Sequence, residues 1–212
     1  MKHPLFPRLR SDFRRDTQGV SAVEFALILP IMLSLFVGIS ELAHAIDNSR
    51  KVTLLTRTLA DLTSQGDTTN PIASATMGDI FSAASLVLAP FNSANATIKV
   101  SAMGVYLTTL NTRPYVCSSA ALNATARTAK AAATDITVPT AFQTTGMRYI
   151  LAEVTMPYTP MLGAALVQLF TGTTSITFSA TMPWPVRGGT TYNSTYAEII
   201  LPNGISCPTT AS

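Results

Sequence analysis

The sequence predicts an α+β protein in which a long N-terminal helix packs on a small antiparallel sheet. An apolar stretch near the N-terminus is followed directly by an amphipathic helical pattern, and later segments alternate apolar and polar residues as strands do. At 212 residues the chain has room for one domain besides an anchor. The predicted organisation is a basic leader (residues 1–19), a long helix (20–64) and an α+β domain (66–212).

The apolar stretch contains sixteen residues between Glu24 and Glu41. As a helix it spans roughly 24 Å, and with local thinning it crosses a hydrocarbon core about 30 Å thick. Pro30 lies inside this stretch, and membrane helices tolerate such a proline. The helical pattern continues past Glu41 and stops at Gly66, so residues 20–64 are predicted to form one helix of roughly 68 Å.

The second half of this helix is amphipathic and therefore needs a partner surface. Its apolar face is formed by Ala45, Val52, Leu55, Leu59 and Leu62. The rest of the chain offers a weaker helix and three strands that can cover this face, predicted at residues 76–89, 97–107, 148–156 and 174–182. Residues 108–146 are rich in Ala and Thr and are predicted to form a long loop with one helical turn.

Alternation within two of the strands predicts which side chains face the core. Ile150, Ala152, Val154 and Met156 share one side of the strand over residues 148–156. The strand over residues 174–182 places Ile176, Phe178, Ala180 and Met182 inward, and Thr177, Ser179 and Thr181 outward. Prolines are expected to end these strands, at Pro157, Pro160, Pro183 and Pro185.

The distribution of charge excludes nucleic acid as a partner. Residues 1–19 hold five basic and two acidic residues, and the remaining chain holds nine of each. All the net positive charge is therefore in the leader, and no basic face remains for a phosphate backbone. A basic segment before an apolar stretch is instead typical of a cytoplasmic N-terminus, which places the domain on the other side of the membrane.

The sequence carries no pattern typical of an enzyme, so neither a cofactor, a metal nor a small-molecule substrate is expected. Its two histidines are His3, in the leader, and His44, at the predicted membrane edge, and no metal-binding or nucleophile motif includes them. Glu153 and Glu198 are the candidates for a carboxylate pair, but solvated strand faces explain them better. Trp184, between two prolines, is interpreted as a strand-end packing residue, with a surface contact as the alternative.

The two cysteines, Cys117 and Cys207, are far apart and do not form a CxxC motif. In an exported chain an even pair of cysteines indicates one disulfide. Two unrelated buried thiols remain the alternative.

The start of the apolar stretch reads Gly19-Val20-Ser21-Ala22-Val23-Glu24-Phe25, which resembles the processing site of type IV pilin-like proteins. The wider segment, over residues 15–64, resembles the TadE-like pseudopilins of Flp/Tad pilus assembly. The resemblance implies a pilin-like fold, cleavage by a prepilin peptidase after Gly19, and a bacterial inner-membrane location with a periplasmic domain. The partners it implies are that peptidase, other pilin and pseudopilin subunits, and the inner-membrane pilus platform. A TadF-like role stays open.

The spacing of Val20 and Glu24 suits that resemblance. Cleavage after Gly19 would give Val20 a free amine, and Glu24 lies one helical turn further along the same face. An ionised glutamate near the hydrocarbon costs about 3 kcal/mol if it has no partner. In pilin-like assemblies this glutamate is thought to pair with the N-terminal amine of a neighbouring subunit, beside Phe25.

Two alternatives compete with the pseudopilin interpretation. Ala43-His44-Ala45 fits the end of a secretory signal peptide, and cleavage after Ala45 would release a periplasmic binding or interaction domain. The basic N-region is long for such a signal, however, and helical periodicity continues through the supposed cleavage site. The other alternative is a generic protein anchored by one membrane helix.

Overall fold

The computed structural model describes residues 18–107, 112–161 and 172–210, together with Ala164 and Gln168. The predicted leader lies outside the described residues up to Thr17. The described part is an α+β protein with a long N-terminal helix and an antiparallel sheet, so the predicted fold class is confirmed.

The long helix, α1, extends over Gln18–Gln65 and continues through Pro30. The described part of the helix includes two residues before the predicted start. It ends where the sequence indicated, because Gly66 adopts a left-handed conformation (φ 75°) and its N–H donates to the carbonyl of Thr63 at 3.1 Å. A second helix, α2 (Ser74–Val87), is close to the predicted weaker helix.

Five antiparallel strands form the main sheet, in the order β3-β2-β1-β4-β5. Their bounds are β1 Thr97–Gly104, β2 Tyr115–Leu122, β3 Ala131–Ala132, β4 Arg148–Tyr158 and β5 Ile176–Pro185. A separate two-stranded ribbon pairs β6 (Thr190–Thr191) with β7 (Ala197–Glu198). Short 3-10 turns cover Ser93–Asn95 and Thr140–Phe142.

The second half of α1 lies across β4 and β5, and α2 packs beside it. Val52, Leu55 and Leu59 are buried on the helix side of this core. The sheet contributes the side chains predicted to face inward, with Ile150, Ala152, Val154 and Met156 buried and Phe178, Ala180 and Met182 half-buried. The predicted core faces of the helix and of both strands are therefore confirmed.

The prediction that prolines end the strands is wrong at two positions, Pro157 and Pro183, whereas β5 does end at Pro185 and β4 ends before Pro160. β4 continues through Pro157 to Tyr158, and β5 continues through Pro183 to Pro185. β5 is the edge strand of the sheet, so a proline there can direct its missing donor away from β4 without loss of a ladder hydrogen bond. Pro157 lies past Thr155, the last residue of β4 that pairs with β1.

The prediction of a long loop over residues 108–146 is also partly wrong, because this region contains β2. β2 pairs with β1 on one side and with β3 on the other. Half of its residues are Ser or Ala, including the buried Ser118, so the strand lacks the strong apolar alternation that identifies strands in a sequence. Cys117 in β2 forms a disulfide with Cys207, with their Cα atoms 4.9 Å apart.

The interpretation of both glutamates as solvated is wrong, and they do not form a carboxylate pair. Glu198 is buried beside Arg148 at 3.4 Å and accepts the backbone N–H of Cys207 at 3.0 Å. Burial raises the pKa of the Glu198 carboxyl despite this pairing. Glu153 is half-buried and pairs with Arg127 at 2.7 Å.

Candidate assembly surface on the N-terminal helix

The first half of α1 has almost no contact with the rest of the described chain. From residue 19 to residue 40 every side chain is exposed except Val37, which is half-buried. This segment, called the bare half, is roughly 33 Å long, close to the thickness of a hydrocarbon core. One helix of the described residues is long and apolar enough to cross a membrane, and the bare half is its most apolar part. The bare half is therefore the candidate membrane-spanning segment of the chain.

Gly19 and Val20, the residues of the predicted processing site, lie in the first turn of α1. A Cβ added at Gly19 would meet no atom within 4 Å, and Gly19 is not among the glycines with positive φ. The fold itself thus gives no reason for glycine at this position. Val20 is 55% exposed.

Glu24 and Phe25 are exposed on the bare half one turn further along. Phe25 is 61% exposed. Glu24 is the one charged residue in the sequence between Gly19 and Ser40, and it has no ion-pair or hydrogen-bond partner among the described residues. Both residues are therefore accessible on the surface of the bare half.

The border between the bare half and the domain is marked by a hydrogen bond. The Tyr158 hydroxyl, at the end of β4, donates to Glu41 Oε2 at 2.8 Å. Burial and, to a smaller degree, this bond raise the pKa of Tyr158 to about 12. No local pattern indicates this contact, because its partners are 117 residues apart.

Above Glu41, α1 is joined to the loop that follows α2. Lys51 lies 3.7 Å from Asp47 and donates to the carbonyl of Ala89. Its ammonium is 5.7 Å from the centroid of the Phe91 ring, which in turn makes an edge contact with Tyr158 at 6.0 Å. These contacts, together with the bond between Glu41 and Tyr158, form a polar and aromatic collar around the helix where it leaves the bare half.

Trp184 fits the predicted packing role. It is half-buried at the end of β5 and packs against the main core. The guanidinium of Arg57, from α1, lies 5.4 Å from its ring centroid. Trp184 therefore fixes the packed part of the helix to the edge of the sheet.

His44 is exposed beside the collar. Among the described residues, no group of three or more His, Cys, Asp or Glu side chains lies close enough to hold a metal ion. The features of this region are exposed apolar side chains, one charge within them, and the collar of contacts where α1 meets the domain.

The architecture defines a class of protein in which one long helix, apolar enough in its first half to cross a membrane, continues without interruption into an α+β domain. Within this class, the family model for TadE-like proteins matches residues 19–61. The resemblance inferred from the sequence is thus confirmed over the bare half and most of the helix that packs on the sheet. The TadE-like family is a family associated with Tad pili. No curated protein and no solved structure matches the chain.

Proposed function

We propose that this protein is a minor pilin-like subunit used in building a Tad-type pilus. It inserts with its leader in the cytoplasm, is cleaved after Gly19 by a prepilin peptidase, and assembles through the bare half of α1 with its domain in the periplasm. The observation that carries the proposal is an exposed apolar helix whose single charge, Glu24, lies one turn beyond the cleavage site. The TadE-like match over the same residues supports it.

Glu24 gives the proposal its mechanism. Near the hydrocarbon an unpaired carboxylate is unfavourable by about 3 kcal/mol, and no described residue of the chain neutralises it. The amine of Val20 on a second subunit would do so, and the bond would set the axial offset between neighbouring helices. Phe25, exposed next to it, would pack against the same neighbour.

The position of Gly19 supports cleavage by an external enzyme. The fold does not require glycine there, whereas a protease that binds an extended substrate backbone benefits from a residue without a side chain. The basic leader fits retention on the cytoplasmic side, where a prepilin peptidase acts.

The path of α1 argues against cleavage after Ala45. The helix is continuous from Gln18 to Gln65, and Ala45 is half-buried against the domain. A signal peptidase would have to unwind this segment, and it would also remove Glu41, the partner of Tyr158.

Processing is tested by intact mass and N-terminal sequencing of the protein isolated from native membranes. We expect the mature chain to begin at Val20, and we expect Gly19→Leu to stay uncut. Gly38→Leu is the matched control, since Gly38 also lies in the bare half with open space around it, and it should be cut normally. A start at Ile46 would show an ordinary secretory signal, and an intact Met1 would leave a plain anchor.

Pairing of Glu24 is tested by piliation. Glu24→Ala should insert in the membrane and be cleaved, yet reduce pilus number to the level of a deletion strain. Glu24→Asp, which keeps the charge, should retain part of the activity, and Ser34→Ala on the same exposed segment should have no effect. Pilus counts by electron microscopy give the readout, and wild-type piliation in Glu24→Ala would contradict the mechanism.

A further inference from the structure

The exposed side of α1 carries a seven-residue repeat that continues past the bare half. When each heptad is labelled a to g with Phe25 at a, the a and d positions are apolar through three successive heptads and into a fourth. All seven of these side chains are exposed, from 46% for Ile46 to 64% for Leu35. We call this row the seam, and its residues are Phe25, Ile28, Met32, Leu35, Ile39, Leu42 and Ile46.

The stretch over residues 39–51 separates this repeat from the general apolarity of the bare half. Below Ile39 nearly every residue is apolar, so any spacing would select apolar side chains. Past Ile39 the a and d positions stay apolar at Leu42 and Ile46, and the repeat ends at Ser49. A strict apolar a and d repeat with polar side chains on the other faces is typical of a coiled coil. The b, c and f positions of this stretch are all polar, namely Ser40, Glu41, His44, Asp47, Asn48 and Lys51.

The domain packs on the opposite side of α1 and leaves the seam open. Glu41 and Lys51, which make the collar contacts, are at c and f positions. His44 and Asn48, also at f and c, line a cavity of about 330 Å³ between α1 and the domain. Asn48 is fully buried, with its amide nitrogen 3.8 Å from the sulfur of Met156 and its oxygen without a partner among the described residues. A second helix can therefore reach the seam without displacing the domain.

The upper end of the seam lies outside the reach of lipid tails. If the bare half spans the hydrocarbon with Glu41 at its edge, Ile46 lies roughly 7.5 Å above that edge. The headgroup layer is roughly 5–7 Å thick on each side. An aliphatic side chain exposed beyond this layer is in contact with water, which is unfavourable. Lipid therefore does not account for the whole seam, whereas a second protein surface does.

The residues in and beside the seam favour a second copy of the same chain as that surface. A β-branched residue at a with leucine at d favours two parallel strands, and Ile39, Leu42 and Ile46 follow this order. Copies that insert in the same direction present parallel helices. The e and g positions between Leu42 and Ile46 are Ala43 and Ala45, and such small residues let two helices approach closely.

The extent of the seam is that of a stable interface. Each of its side chains offers roughly 100 Å² of surface, so the seam offers roughly 700 Å² per copy. Stable complexes bury about 800 Å² on each partner. Pro30 is at an f position, on the side of α1 away from the seam, so it does not interrupt the contact.

We propose that two copies of this chain pair along the seam as a parallel, in-register coiled coil that begins at Phe25 and ends at Ile46. Glu24 is at a g position, on the edge of the seam, and stays accessible to the amine of a further subunit. The inference deepens the proposed function and rests on it, because it requires α1 of both copies to lie in one membrane with the same orientation.

The test is oxidative crosslinking of single cysteine variants of the full-length mature chain in native membranes. Leu42→Cys and Ile46→Cys, at d and a, should give at least fivefold more crosslinked dimer than two matched controls. The controls are Ser40→Cys and His44→Cys, which are exposed on the same turns at b and f. The native cysteines do not interfere, because they are bonded to each other and buried. The mass of the crosslinked species identifies the partner.

Equal crosslinking at all four positions would indicate random collision and overturn the proposal. A species whose mass is not twice that of the chain would show that another protein covers the seam, and no crosslinking at all would leave the seam to lipid; each also overturns it. Failure of the proposed function is seen separately. Dimers at Leu42 and Ile46 together with wild-type piliation in Glu24→Ala would contradict the assembly mechanism alone, and a mature chain that begins at Val20 but forms no dimer would contradict the seam alone.

Discussion

The two halves of α1 form one continuous helix but differ in burial and in charge. The bare half, residues 19–40, has no fully buried side chain and one charge. The packed half, residues 45–64, carries charges on its outer faces and buries Val52, Leu55 and Leu59 completely. The packed half also buries polar groups, including Asn48 and Thr56, and the Thr56 hydroxyl donates to the carbonyl of Val52 at 2.7 Å.

The difference shows where each half finds its stabilising partner. The packed half is amphipathic because its partner, the sheet, belongs to the same chain and covers one face. The bare half is apolar on all faces except at Glu24, the pattern expected of a helix surrounded by lipid. The comparison predicts that changes to the domain affect the packed half alone, and that changes in the bare half leave the domain intact.

The largest expected effect comes from removal of the disulfide. The cysteines are 90 residues apart, and closure of a loop of that size stabilises a fold by roughly 4 kcal/mol. In a Cys117→Ser, Cys207→Ser double variant we expect a lower unfolding midpoint in urea. Amides of the packed half should exchange hydrogen faster, while those of the bare half stay protected in detergent. Equal loss of protection in both halves would contradict the division.

A smaller effect is expected from single leucines in the two halves. Leu59 is fully buried, so Leu59→Ala should lower the free energy of unfolding of the domain by about 3 kcal/mol. Leu33, 54% exposed in the bare half, is the matched control. Leu33→Ala should change the free energy of unfolding by less than about 0.5 kcal/mol. Urea titration of the full chain in detergent, followed by the fluorescence of Trp184, measures both. A large effect of Leu33→Ala would show that the bare half contributes to the stability of the domain.

The smallest expected effect on stability comes from the hydrogen bond at the border between the bare half and the domain. Tyr158→Phe removes the hydrogen bond to Glu41 and should reduce stability at neutral pH by about 1 kcal/mol. The folded-state pKa of Tyr158 is about 12 and its ordinary value is 10.0, so above pH 10 the unfolded chain loses this proton first. The contribution of the hydroxyl is therefore complete below pH 10 and declines as the pH rises toward 12.

Comparison of wild-type and Tyr158→Phe unfolding between pH 8 and pH 12 isolates this contribution. The variant should lose less stability with rising pH than the wild type does. Tyr106 and Tyr149 also have raised pKa values, and their share remains in both proteins. Parallel pH profiles would show that Tyr158 ionises freely and that the border contact is not formed.

The parts of the fold that local pattern determines were predictable from the sequence. The end of α1 at Gly66 and the inward faces of β4 and β5 follow from periodicity within short segments. β2 was missed because a central strand of Ser and Ala has little apolar contrast. The burial of Glu198 was missed because its partner, Arg148, lies 50 residues earlier, and pairing over that distance leaves no local signal.

The residues of the candidate site also divide into those that a local sequence pattern indicates and those that it does not. Gly19 and Glu24 were recognisable because their spacing at the mouth of an apolar helix is a local pattern. Asn48 could have been noticed too, since helical spacing places it on the face of Ala45 and Val52. Its unpaired oxygen could not have been, because that depends on Met156 and the walls of a cavity formed by distant segments.

The connection between α1 and the sheet also fixes an order of events during synthesis. The face formed by Leu55 and Leu59 leaves the ribosome about 90 residues before Ile150 of β4, which covers it in the folded protein. At about 5–20 residues per second, that face stays uncovered for roughly 5–20 s while the helix is already anchored. Arg50, Lys51 and Arg57 share this segment, so the uncovered helix carries charged side chains beside its apolar face.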